Sequence, residues 1–231
     1  GNETGIVAIS TVSGGSATED GTQSVTITIT ENESAPTVTL ATSATSIAEN
    51  AGSSLTLTAT LSVATTADVT VGISTSGIGT EGTDYSTISD ITISAGATTG
   101  TASFTPTDDS VYEGNETGIV AIATVSGGSA TEDGTQSVTI TITENESSPT
   151  ITLSSSASSI AENAGSSLTL TATSSIVADE DITVTISTSG TGTEGTDYST
   201  ISDITISAGA TTGTASFTPS DDSVYEGNET G

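Results

Sequence analysis

The stretch SIAENAGSSLTLTAT occurs twice, beginning at Ser46 and again at Ser159, and almost everything else in the chain is duplicated with it. GTEGTDYSTISDITISAGATTGTASFTP begins at Gly79 and Gly192, and GGSATEDGTQSVTITITENES at Gly14 and Gly127, so each pair is offset by 113 residues. An internal period constrains the fold strongly, because each copy must be a unit that can be repeated and joined end to end. The last five residues, Gly227 to Gly231, repeat the first five, Gly1 to Gly5, so both ends fall at one phase of the cycle. Copies differ mildly, as in Val38 against Ile151 or Thr107 against Ser220. Only LSVATTADV at 61–69 against SSIVADEDI at 174–182 departs strongly, which marks a surface loop.

The natural unit starts where SAPT and SSPT place a small, proline-containing linker before an alternating strand. That frame predicts three parts: 1–35, the C-terminal hairpin of a preceding unit; 36–148, one complete unit; and 149–231, the N-terminal five-strand part of the next. Period-2 alternation within the complete unit gives seven strands, at 37–42, 54–61, 68–75, 90–94, 99–105, 117–125 and 135–143. Leu55, Leu57 and Ala59 face inward while Thr56, Thr58 and Thr60 face out, and Val138, Ile140 and Ile142 repeat the scheme. The expected fold class is all-β, a tandem array of immunoglobulin-like antiparallel sandwiches of about seven strands each. Tyr85 and Tyr112 are expected to plug the loop end of the core.

Charge is the second constraint. The chain carries 29 acidic residues, no Lys, Arg or His, and no Cys, for a net charge of −29. Such a chain has nothing to offer phosphate, so nucleic acid and anionic membrane are excluded as direct partners, and a cation is expected. No apolar run reaches the roughly 18 residues of a membrane span, and nothing resembles a signal peptide. Without His, Cys or Lys for proton transfer or nucleophilic attack, an enzyme is not expected.

If the strands alternate in direction, one pole of the sandwich collects Glu49, Glu81, Asp84, Asp108, Asp109, Glu113, Glu116, Glu144 and Glu146. The other holds Asp68, Glu132 and Asp133. Carboxylates gathered at one end repel one another unless a cation sits among them. Calcium suits an all-oxygen set, whereas zinc and copper would need the missing His or Cys.

IAENAG, GTEGTDY, DDSVYEGNE and VTITITENE, in this order, resemble the Calx-beta domain over the whole unit. The resemblance implies a calcium-binding, seven-stranded sandwich with its ligands in those loops. By position it nominates Glu49, Asp84, Asp108, Asp109 and Glu113 as ligands, with Glu144 and Glu146 from the terminal triplet and Glu116 ranked lower. The second copy repeats the set as Glu162, Asp197, Asp221, Asp222 and Glu226, and the terminal triplet of the first partial copy survives as Glu31 and Glu33. Asp179, Glu180 and Asp181, in the variable loop of the following unit, are expected near the acidic pole.

The expected function is a structural segment of a long secreted or cell-surface protein, an adhesin stalk or filament, with Ca²⁺ at each joint. Other copies of the same chain are the expected partners, the hairpin at 1–30 completing the open half-domain at 149–231, and a surface or glycan ligand would bind through other regions. The alternatives are a regulatory calcium sensor, or an ice- or glycan-binding array built from outward rows such as Thr139, Thr141 and Thr143. Asn2, Asn32, Asn115, Asn145 and Asn228 lie in glycosylation sequons but read as loop residues beside the acidic site.

Overall fold

The computed structural model describes residues 1 to 230; Gly231, the last residue of the repeated terminal GNETG, lies outside them. The described residues form strands and no helix, as the alternation predicts. β1 (Glu3–Ala8) and β2 (Ser24–Ile29) make an antiparallel hairpin that is a sheet by itself. Then follow β3 (Thr37–Thr42), β4 (Ser46–Ala48), β5 (Leu55–Leu61), β6 (Val69–Gly77), β7 (Ile91–Ile93), β8 (Thr99–Phe104), β9 (Val111–Tyr112), β10 (Glu116–Ser126), β11 (Thr131–Glu132) and β12 (Ser137–Thr143). β13 (Ile151–Ser155), β14 (Leu168–Ser174), β15 (Val177–Ala178), β16 (Ile182–Val184), β17 (Ile204–Ile206) and β18 (Thr212–Phe217) complete the chain.

Residues 37 to 143 fold as a sandwich of two sheets, ordered β4-β12-β10-β6-β7 and β11-β3-β5-β8. The seven strands expected from alternation are all present. To them are added the short β4, β9 and β11, each of two or three residues and too short to show a pattern of its own. β7 pairs with β6 through Val69–Ile93, Thr70–Thr92 and Val71–Ile91 and then crosses to the other sheet, where β8 pairs with β5. At that corner the backbones nearly touch, since a Cβ on Gly100 would stand 2.4 Å from the Thr92 carbonyl. Between Ile122 and Thr124, β10 skips a rung against β6. The extra residue, Ala123, is a bulge that increases the local twist.

Inward residues of the two sheets make one core. Val38, Leu57, Ala59, Val69, Val71, Ile91, Ile93, Phe104, Val120 and Ile140 are fully buried. Tyr85 stacks on Phe104 with ring centroids 4.6 Å apart, closing the core at the loop end; Tyr112 lies half-buried and accepts a hydrogen bond from Ser148 Oγ at 3.2 Å. Gly118 lies under the Tyr85–Phe104 pair because a Cβ there would meet Phe104 at 2.8 Å.

The second unit has strands β13 to β18 and a much smaller core around Ala172, Ile204 and Ile206. Tyr198 stacks on Phe217 at 4.7 Å, as Tyr85 does on Phe104. A parallel two-residue ladder links the units, with β15 on β9 through Val177–Val111 and Ala178–Tyr112, and the Asp179 amide donating to the Tyr112 carbonyl at 3.3 Å.

Candidate metal centre

Strand direction brings the acids together. β10 runs antiparallel to both β6 and β12, and β12 runs parallel to β4, so the end of β6, the start of β10 and the ends of β4 and β12 meet at one pole. There the carboxylates converge in two groups, in each of which one oxygen per residue lies within 4.8 Å of the others: Glu49 with Glu144 and Glu146, and Asp84 with Glu113 and Glu116.

In the first group Glu144 is the anchor. Its Oε2 accepts the amides of Glu113 at 2.7 Å and Gly114 at 2.8 Å, and its Oε1 accepts those of Asn145 at 2.8 Å and Glu146 at 2.9 Å. Burial alone would raise its pKa, but the amides of Glu146, Glu113 and Gly114, together with a side-chain hydrogen bond from Glu146, outweigh it and hold the carboxyl at about 2. Glu144 is therefore a fixed anion. Beside it, Glu146 is pushed up, chiefly by the carboxyl of Glu144. Glu146 Oε1 accepts from Asn145 Nδ2 at 3.1 Å, while its Oε2 is buried with no hydrogen-bond partner among the described residues. Glu49 is 5% exposed and accepts the Asp109 amide at 3.2 Å through Oε1. Burial first, and then the fields of Glu144, Glu146 and Asp109, raise its pKa to about 7 despite that amide.

The second group is less well provided with donors. Asp84 Oδ2 accepts the Thr80 amide. Glu116 is 8% exposed, and its carboxyl shares a side-chain hydrogen bond with that of Asp84. Burial raises Glu116 to about 7, reinforced by Asp84, by Asp179 of the following unit and by Glu49. Glu113 is raised to about 7 by burial and then by Asp84, Glu116, Asp109 and Glu49.

The remaining nominated residues serve the loops. Asp109 Oδ1 accepts the Val111 amide at 2.7 Å, and Asp108 Oδ1 lies 3.4 Å from Asn145 Nδ2. Glu81, counted at this pole by strand direction, is a turn cap: its oxygens accept from the Thr75 hydroxyl at 2.7 Å and the Ile88 amide at 2.6 Å. Asn115 Oδ1 accepts the Glu144 amide at 3.0 Å, so this sequon residue and Asn145 both brace the acidic loops.

The second unit repeats part of the centre. Asp197, Glu226 and Glu229 form a third convergent group, and Glu162 Oε1 accepts the Asp222 amide at 3.0 Å as Glu49 accepts that of Asp109. Asp222 Oδ1 caps Val224 at 2.6 Å, and Asp221 precedes it in the same loop. Glu229 was missed by the motif and Glu116 ranked low, yet the period relates them directly, one being the other displaced by 113 residues. Glu31 and Glu33 lie beyond β2, outside all three groups. Of the joint acids, Asp179 lies within the field of Glu116, whereas Asp181 Oδ1 caps the Ala208 amide at 2.8 Å.

A donor set made wholly of oxygens and an orphaned buried Glu146 oxygen fit a hard divalent cation such as calcium. Glu49, Glu144 and Glu146 would hold one ion, and Asp84, Glu113 and Glu116 another.

The family profile described as the Calx-beta domain matches residues 31–146 and again 144–230. No curated protein matches the chain. Among solved structures, the apo-form Calx CBD1 domain aligns at 16% identity over 48% of this chain and 99% of that one, with a TM-score of 0.40. CBD12 from CALX1.2 aligns at 14% identity over 78% of this chain and 74% of that one, with a TM-score of 0.41.

Proposed function

Because the chain belongs to the Calx-beta family of calcium-binding modules, which is not a catalytic family, we propose that it is a structural, calcium-stiffened segment of a long extracellular repeat protein. The observation that carries this reading is Glu116, a buried carboxylate that converges with Asp84 and Glu113 and also lies in the field of Asp179 of the following unit. Without a cation, the acids at this pole repel across the joint that the β9–β15 ladder holds together. With calcium, the repulsion becomes ligation that the folded state alone supplies. Extracellular modules bind calcium with dissociation constants of ~10⁻⁴ to 10⁻³ M, so ~1 mM calcium would stabilise each site by roughly 0.4–1.4 kcal/mol.

The intended setting is a cell-surface stalk or filament. A chain with 29 acids and no base stays loosened by self-repulsion where calcium is scarce and stiffens where it is abundant. Isothermal titration with calcium, paired with small-angle scattering, tests the reading. Calcium should bind, raise the melting temperature and increase the maximum dimension; unchanged melting and dimensions with and without chelator would refute it.

A further inference from the structure

The flanks of the complete unit are as neutral as its loops are acidic. Of its strands, only β10, at its first residue Glu116, and the two-residue β11 contain an acid. A two-sheet sandwich has four outer strands, and each offers a row of backbone groups to any strand that approaches. Three of the four are protected by being short, since β4 and β7 have three residues each and β11 two. The fourth, β8, runs six residues from Thr99 to Phe104 and ends the sheet ordered β11-β3-β5-β8. It contains no charge and no proline, and its register against β5 is unbroken. None of the devices that usually blunt an edge is present in β8.

The ladder fixes which backbone groups of β8 are open. The Leu61 amide donates to the Thr98 carbonyl at 2.8 Å, so these two residues form a hydrogen-bonded pair. Alternation along the antiparallel ladder makes Ala59–Gly100, Leu57–Ala102 and Leu55–Phe104 the next such pairs. The amides and carbonyls of Thr99, Thr101 and Ser103 therefore point away from β5. Further along, the same row is already in use by the chain itself. The Ser86 amide donates to the Thr105 carbonyl and the Thr107 amide to the Asp84 carbonyl, both at 2.9 Å, with Tyr85 antiparallel to Pro106. The edge thus accepts an antiparallel segment at 105–107, and that cover stops short of β8, whose Thr99, Thr101 and Ser103 are exposed. The second unit repeats the arrangement: β18 has the same sequence, TGTASF, and ends its sheet. There the Ser174 amide donates to the Thr211 carbonyl at 2.8 Å and the Ser199 amide to the Thr218 carbonyl at 2.9 Å.

We infer that β8 is a lateral pairing edge and that its occupant is β8 of a second copy of this chain, antiparallel to it about a two-fold axis at Thr101. Thr101 then stands opposite its own counterpart and Thr99 opposite Ser103, so the open amides and carbonyls of all three residues find partners. Two four-stranded sheets become one continuous sheet through an isologous contact. Charge argues for this occupant over a foreign strand. With a net charge of −29, two copies approach with least repulsion where uncharged flanks meet, and each brings the same unsatisfied neutral row, so one contact satisfies both. It also argues for the antiparallel sense. β8 runs toward the pole that holds Asp108 and Asp109, so reversal sets the acidic pole of one unit beside the sparser pole of the other. A six-residue strand keeps the two acidic poles about 20 Å apart. Because β18 presents the same edge, each 113-residue repeat adds one such contact, and weak contacts sum along the array.

Sedimentation velocity over a concentration series, in chelator and at high salt to screen the net charge, tests this. Species heavier than the monomer are expected to grow with concentration. T101P/T214P should weaken association at least about tenfold, because proline removes the outward N–H of each edge and leaves the ladder to the neighbouring strand intact. T101D/T214D, which sets like charges opposite each other across the contact, should do the same without altering the backbone. T58D, on the same outer face but one strand inward, should not. The chain has no cysteine, so T101C should link to its counterpart as an intermolecular disulfide. T58C should not, because its two copies would lie about 14 Å apart. A monomer at every concentration, association indifferent to both double variants, or T58C linking as readily as T101C would overturn the inference. Association that appears only when calcium is restored would place the contact at the acidic poles and overturn it too. Calcium is absent from the main series, so failure there leaves the calcium reading untouched.

Discussion

Glu116 separates the two roles a buried acid can have. Replaced by Gln, it keeps its shape and loses its charge, so the ion-free protein should gain about 1 kcal/mol or more while calcium binding weakens about tenfold. Opposite signs in the two measurements, denaturant unfolding and calcium titration, are what a ligand requires and what a purely structural residue would not give. The same physics sets the pH dependence. Glu49, Glu113 and Glu116 have folded pKa values of about 7 against 4.5 in the unfolded chain, so the folded state binds more protons between those values. The contribution of these three groups is therefore full below about pH 4.5 and declines as pH rises through 7, by roughly 2–3 kcal/mol for Glu116 alone, whereas that of Glu144, held at about 2, is lost as pH falls from 4.5 toward 2. Urea unfolding at pH 5 and pH 8 after calcium removal checks the sign. Calcium at pH 8 should remove most of the difference, because bound carboxylates are already ionised.

At the scale of single elements, β6 ends where it does because Gly77 has a φ of +123° and its α-carbon passes so near β10 that a Cβ would stand 2.1 Å from the Thr117 carbonyl. Gly77→Ala should cost about 2 kcal/mol or more, read as a lowered melting temperature. A neighbouring strand also decides whether a segment is a strand at all. Seven strands were legible from alternating Thr and aliphatic residues, since that pattern follows directly from the two faces of a sandwich. β4, β9, β11 and β15 were not, because two or three residues hold no period and are fixed by the strand or loop beside them.

For the whole molecule, charge and topology act together. With net charge −29 and its acids concentrated at one pole of each unit, the ion-free chain should also stiffen and stabilise with rising sodium chloride, though by less than with millimolar calcium, because screening reduces repulsion without supplying ligands. Scattering in matched ionic strength, with and without calcium, separates the two effects.

The 113-residue period, the strand parity and the total lack of basic residues were enough to determine a tandem β-sandwich with its acids at one end, because periodicity and charge are properties of the chain itself. Tertiary structure alone decided which acids meet: Glu49 joins Glu144 and Glu146, Glu116 joins Asp84 and Glu113, while Glu81 and Asp109 turn to cap amides. Those groupings span up to 97 positions of sequence, from Glu49 to Glu146, and depend on loop curvature and side-chain rotamers that exist only once the two sheets have closed on each other.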